Sequence, residues 1–264
     1  MLQEWRDKWA LVTGASAGIG AALAKELAAG GTHLVLTARR ADRLEQLAAR
    51  LRKQYGTQAE VVVADLAKVD GPADVYDFTQ RKKISIDLLI NNAGFGQYGE
   101  LTQVESQRLL DMVQVNCAAV VHLTRLYLPE MVARGRGDVL ILASTASFQA
   151  VPYISTYAAT KAFDLLFAEG LAEEMKPHGI RVCALCPGST ESEFHALAQQ
   201  EEFTLKHQET AEKVARTGLQ ALAEGKSYVI SGLGNYLGAQ SQRLVPRRVV
   251  THIAGNMFRP KKKS

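Results

Sequence analysis

The sequence predicts an α/β domain in which one mostly parallel sheet of seven strands is doubly wound, with helices on both faces. Three observations predict it. Apolar runs of strand length recur at residues 9–13, 34–37, 61–64, 88–90, 139–143, 182–185 and 228–230. Most of them lack polar alternation, as strands covered on both faces should. Segments of helical period lie between them, giving the alternation that builds a parallel sheet. No internal repeat, low-complexity tract or Pro/Gly/Ser linker divides the chain. Residues 1–232 therefore read as one domain and 233–264 as a C-terminal extension.

The elements follow in order. The first strand, Trp9–Thr13, runs into a glycine turn and a helical stretch from Ile19 to Ala29. The stretch 43–54 carries Leu44, Leu47, Ala48 and Leu51, an i, i+3, i+4, i+7 stripe opposite a charged face, and reads as a covering helix. Longer helical stretches cover 105–134, with a break near Asn116, and 157–175, which stops before Pro177 and Gly179. Residues 189–206, after Pro187-Gly188, mix small, acidic and aromatic side chains and suit a loop with short helices.

Composition bounds the function. With 47% hydrophobic and 22% charged residues, a chain of 264 residues can bury a substantial core. Part of the net charge of +4 comes from Lys261, Lys262 and Lys263, and no nucleic-acid motif accompanies it, so nucleic-acid binding is not expected. Cys117, Cys183 and Cys186 suggest no disulfide framework. Cys183 and Cys186 spell C-x-x-C, but on a strand they face opposite ways and no second pair completes a metal site. No apolar run has signal-peptide length or the roughly 18 residues of a membrane span, so a soluble, cytoplasmic protein is expected.

The motif Thr13-Gly14-Ala15-Ser16-Ala17-Gly18-Ile19-Gly20 joins a strand to a helix. Side-chain-free positions let the backbone approach a pyrophosphate, whose charge sits against the free N–H groups of the helix start. The spacing is G-x-x-x-G-x-G rather than the G-x-G-x-x-G of the common dinucleotide fingerprint. In Rossmann-type folds an acid about 20 residues further on holds the ribose 2′-hydroxyl, whereas arginine accommodates a 2′-phosphate. Here the second strand ends in Arg39-Arg40, with no carboxylate before Asp42. NADP(H) is therefore favoured over NAD(H).

Together with Asp65, Asn91-Asn92-Ala93-Gly94, Asn116, Ser144, Tyr157-x-x-x-Lys161 and Pro187-Gly188 in order, this turn resembles the short-chain dehydrogenase/reductase family over roughly residues 9–232. The resemblance implies a Rossmann-type domain and an NADP(H)-dependent oxidoreductase acting on a carbonyl or alcohol. It implies that Ser144, Tyr157, Lys161 and Asn116 are catalytic. Tyr157 would be the proton donor, Ser144 the group that polarises the carbonyl, and Asn116 the holder of a water chain from Lys161 to solvent. It also implies cofactor contacts from Gly14, Ser16, Gly18, Ile19 and Gly20, from Arg39 and Arg40, from Asp65, Leu66 and Asn91, from Asn92, Ala93 and Gly94, from Tyr157 and Lys161, and from Pro187, Gly188 and Thr190. The chemistry is coherent: a tyrosine hydroxyl of pKa about 10 is a poor shuttle at neutral pH, and an ammonium one helical turn away would lower it.

Substrate is expected between residues 95–98, 147–153 and 191–203, with Phe148, Val151, Tyr153, Phe194 and Leu197 forming an apolar wall for a hydrophobic carbonyl or alcohol. His195 reads as incidental. The long helices around 105–134 and 157–175 would, by resemblance, join a homodimer or homotetramer. Residues 236–258 interleave Leu237, Leu244, Val245, Val249, Val250, Ile253 and Met257 with Arg243, Arg247 and Arg248. Such a segment packs on the domain or a second subunit, or lies on an anionic membrane surface, and packing is the favoured expectation. Two alternatives to the reductase stand: a non-catalytic dinucleotide-binding scaffold or regulator, and a sugar-nucleotide epimerase or dehydratase.

Overall fold

The computed structural model describes residues 3–191, 193, 198 and 208–260. Seven strands form one sheet: β1 (Trp9–Thr13), β2 (His33–Ala38), β3 (Ala59–Val63), β4 (Ile86–Asn91), β5 (Gly137–Leu142), β6 (Ile180–Cys186) and β7 (Tyr228–Ile230). Their spatial order is β3-β2-β1-β4-β5-β6-β7, and every pairing is parallel. The order reverses between β1 and β4, which opens a crevice at their carboxyl ends, the place where such sheets bind ligands.

Successive residues of each strand feed two separate cores. Leu11, Val35, Leu89, Val139 and Ile141 face one side, and Ala10, Val12, Leu34, Leu36, Leu88 and Leu140 face the other. Cys186 belongs to the first core and Cys183 to the second, as their spacing on a strand requires. The second core is covered by α1 (Gly18–Ala29), α2 (Ala41–Tyr55) and α7 (Ala211–Ala223). The first is covered by α3 (Gly71–Arg81), α5 (Ala119–Arg134) and α6 (Ser155–Met175), with α4 (Ser106–Val113) ahead of α5. Helices α3 and α7 were not read from the sequence. The break expected near Asn116 is a π-helical turn, Gln114–Ala118, that continues α4 into α5 without ending the rod.

At the amino edge of the sheet, Trp5 is fully buried and its indole donates to Asp138 Oδ2 at 2.7 Å. Asp138 also accepts from Arg181 at 2.6 and 2.9 Å. This staple leaves the opposite, carboxyl edge for the site. The C-terminal extension forms α8 (Leu233–Ser241) and α9 (Arg247–Phe258), and α9 returns to that edge.

Candidate active site

The glycine turn is locked to the end of β4. Thr13 Oγ1 accepts from the backbone N–H of Asn92 and of Ala93, both at 2.9 Å, and donates to the Ile90 carbonyl. Asn92 Nδ2 donates to the Thr13 carbonyl at 2.7 Å. These bonds bring the two loops so close that a Cβ on Gly14 would lie 2.8 Å from Asn92 Nδ2, and one on Gly20 would collide with the Gly14 carbonyl. Gly14 (φ +66°) and Gly18 (φ +54°) also hold left-handed backbone, which side chains resist. The first turn of α1 has neither a side-chain cap nor an acid, so its N–H groups face the crevice.

That crevice is a cleft of about 430 Å³. Its walls include Gly14, Ser16, Gly18, Ile19, Gly20, Arg39, Arg40, Asp65, Leu66, Asn92, Ala93, Gly94, Ser144, Tyr157, Lys161, Pro187, Gly188 and Thr190. Asn91 differs: alternation along β4 turns its side chain away, and it donates to Thr124 Oγ1 of α5 at 3.0 Å. Asn116 also lies outside the cleft wall. It is fully buried beneath Gly94, bonded to both backbone groups of Phe95 and to Thr160 Oγ1 at 3.0–3.1 Å. A Cβ on Gly94 would sit 3.1 Å from Asn116 Oδ1 and 3.4 Å from Lys161 Nζ, so these three positions form one tight stack.

Ser144 follows β5 and caps a short 3₁₀ turn, Thr145–Phe148, accepting from the Ala146 N–H at 3.1 Å. Tyr157 and Lys161 stand one turn apart on α6. The Tyr157 hydroxyl is hydrogen-bonded to the Ser144 side chain. Burial pushes the Tyr157 hydroxyl above its ordinary value, while the Lys161 charge and the Ser144 hydrogen bond pull it back down. Lys161 Nζ lies 6.0 Å from the centre of the Tyr157 ring.

Three features were not legible in the motifs. Asp164, only 1% exposed, accepts from Lys161 Nζ at 2.9 Å, and its Oδ1 has no hydrogen-bond partner among the described residues. Burial works to lower the Lys161 ammonium, but the Asp164 charge, Tyr157 and the Asp164 hydrogen bond outweigh it and hold Lys161 above its ordinary value. Glu193 bridges Arg40 (2.7 Å) and Arg43 (2.6 Å), and Arg40 also donates to Ser16 Oγ. Phe258, at the end of α9, lines the cleft, and its carbonyl accepts from the Tyr98 hydroxyl at 2.8 Å.

The expected substrate wall is partly corrected. Phe148 turns inward and packs on Tyr228, ring centres 6.2 Å apart, and Val151 is buried. Tyr153, at φ +68°, lines a separate cavity with Leu101 and Leu109. Beyond the positions expected to hold the nucleotide, the large apolar residues on the cleft wall are Phe95, Val115, Leu142, Ile154 and Phe258. Phe194, His195 and Leu197 lie outside the described residues.

The sequence profile of the short chain dehydrogenases matches residues 8–202. A very-long-chain 3-oxoacyl-CoA reductase of Pyrenophora tritici-repentis is 37% identical over 183 residues, 67% of this chain and 53% of that protein, so the chain spans about half the length of this relative. A short-chain dehydrogenase from Sphingobium yanoikuyae, solved in complex with NADPH, superposes with a TM-score of 0.82 at 31% identity, covering 97% of each chain. The bulky-bulky ketone specific alcohol dehydrogenase of Comamonas testosteroni gives a TM-score of 0.77 at 28% identity, covering 97% of this chain and 96% of that one. The profile match spans well over half the chain and the whole fold is shared: this chain belongs to the short-chain dehydrogenase/reductase family of oxidoreductases.

Proposed function

We propose that the chain is an NADPH-dependent carbonyl reductase whose substrate carries a bulky apolar body. The observation that carries this reading is the meeting of Ser144, Tyr157 and Lys161 with the glycine turn and Arg40 in one cleft. The residues present fit a dinucleotide: Gly14 and Gly20 leave a cradle that a Cβ would fill, and the α1 N-terminus is uncapped. Gly14, Ser16, Gly18 and Ile19 would hold the pyrophosphate, and Asp65 and Leu66 the adenine end. Asn92, Ala93 and Gly94 would form the wall, Pro187, Gly188 and Thr190 would meet the nicotinamide, and Lys161 its ribose. Arg39 and Arg40 would take the 2′-phosphate. When bound, such a cofactor supplies the hydride.

The chain's own residues supply the rest. Ser144 Oγ hydrogen-bonds the substrate carbonyl oxygen, and Tyr157 gives its proton to that oxygen as negative charge develops there. The positive charge of Lys161 stabilises the phenolate left behind. Asn116 pins the backbone at Phe95, and with it Gly94, against the lysine. Phe95, Ile154 and Phe258 exclude water from the reacting carbonyl and receive the apolar body. Self-association belongs to the same reading and is supported by Val121, Phe163 and Leu166, exposed apolar residues on α5 and α6.

The test is a panel of aryl, alicyclic and long-chain ketones and aldehydes incubated with the purified chain, with loss of reduced nicotinamide read by absorbance. Turnover with NADPH exceeding that with NADH supports the reading. Tight NADPH binding with no turnover across the panel would favour a non-catalytic binding protein.

A further inference from the structure

The segment from Leu233 onward is electrically distinct from the rest of the chain. It holds seven Lys and Arg residues and no Asp or Glu, so against a net charge of +4 for the whole sequence residues 1–232 carry −3. It is also where apolar surface gathers. Among the described residues sixteen large hydrophobic side chains are exposed, and eight of them lie between Leu233 and Met257. A soluble enzyme spreads such residues singly; a cluster marks a surface that meets something apolar.

The two helices show a seated face and an outward one. Ala239 of α8 and Ala254 of α9 are buried, Gly255 lies against Pro152, and the Phe258 carbonyl takes the Tyr98 hydroxyl. Outward, Val249, Ile253 and Met257 form an i, i+4, i+8 row, and the link between the helices exposes Leu244 (88%) and Val245. Arg243, Arg247, Arg248 and Arg259 are exposed toward the two ends of this row, and among the described residues none of them forms a salt bridge.

We propose that the outward face of α8 and α9 docks on an anionic lipid bilayer, with the apolar row in the interface and the arginines against the headgroups. An apolar row flanked by cations, on helices that carry no acid of their own, has the chemistry such a surface recognises. Arginine stems add apolar contact while their guanidinium groups stay among the phosphates. A second copy applied across a two-fold axis would place the same arginines against one another, and the two helices carry no carboxylate of their own to neutralise them. No helix among the described residues is long and apolar enough to cross a membrane, so the contact is peripheral. Because α9 ends at Phe258 in the cleft wall, docking sets the rim of the cleft at the lipid surface.

The test is co-sedimentation of the full chain with phosphatidylcholine vesicles prepared with and without phosphatidylglycerol. Binding only to the phosphatidylglycerol vesicles, weakened by salt, is the expected result. An R247Q/R248Q variant should partition roughly ten- to thirtyfold less well, following the contribution of each basic residue near such a surface. A second measurement uses Ile253→Cys carrying an environment-sensitive dye, whose emission should shift to the blue on adding the anionic vesicles. Equal binding to both vesicle types, or binding to neither, overturns the proposal. A blue shift that grows with protein concentration in the absence of vesicles overturns it too, in favour of a second copy on this face.

Discussion

Lys161 and Asp164 form a buried ion pair on α6, Nζ to Oδ2 at 2.9 Å, and the same ammonium donates to the Leu142 carbonyl at 2.6 Å. The cation that faces Tyr157 is therefore shared with a carboxylate, and the negative charge of Asp164 opposes ionisation of the tyrosine. Replacing Asp164 by Asn removes that opposition. The pH profile of alcohol oxidation, in which the proposed mechanism makes the phenolate the working base, should move its midpoint to lower pH in Asp164→Asn. A loss of rate with an unmoved midpoint would mean that Asp164 serves packing only.

The same pair makes a stability prediction. Burial, working against the pull of Lys161, raises the Asp164 carboxyl to about 6, above the value of about 3.9 in an unfolded chain. The folded protein thus binds the extra proton between these values. The associated stability is full below the unfolded value and is lost as pH rises through the folded one. In urea denaturation from about pH 4 to about pH 7, wild type should lose on the order of 2 kcal/mol relative to Asp164→Asn. A difference that stays constant across this range would contradict the assignment.

Glu193 occupies both Arg40, which donates to Ser16 Oγ in the cleft wall, and the neighbouring Arg43. A phosphate bound at Arg40 must compete with it. The pairs are half-exposed and individually weak, so Glu193→Gln should tighten NADPH by about threefold and leave NADH nearly unchanged. Arg40→Ala should weaken NADPH by roughly tenfold or more and erase the preference. Fluorescence titration with both nucleotides reads each outcome. If wild type itself makes no distinction between them, the NADP reading fails before the Glu193 variant is considered.

Gly20→Ala should damage the turn directly, because its new methyl would meet the Gly14 carbonyl and Asn92 Nδ2. Relieving that clash means moving backbone on two loops. A loss of roughly 1–3 kcal/mol in unfolding free energy is expected, with nucleotide binding lost. Retained nucleotide affinity would show that the loops separate more easily than their hydrogen bonds imply.

The features legible in the sequence were those whose physics is local. Buried apolar runs marked all seven strands, with β1 and β7 at their observed limits, and the glycine turn and the one-turn spacing of Tyr157 and Lys161 are fixed by short segments. What escaped depends on contacts distant along the chain. Asp164 three residues after a lysine reads as a solvated helix pair until the packing of α6 buries it. Glu193 reaches Arg40 across 153 positions, and Phe258 enters the cleft only because α9 folds back. Phe148 and Tyr153 suited a pocket by composition, but backbone direction sends one into the core and the other into a neighbouring cavity.

The most direct test of the central claim compares wild type with Tyr157→Phe for NADPH affinity and for turnover of a ketone accepted by the wild type. The hydroxyl proposed to give the proton is removed while the ring and the cleft remain. Affinity should stay within about twofold and turnover fall by roughly 10²-fold or more, the scale of a lost general acid. Turnover close to wild type with intact binding would contradict the proposal that Tyr157 delivers the proton.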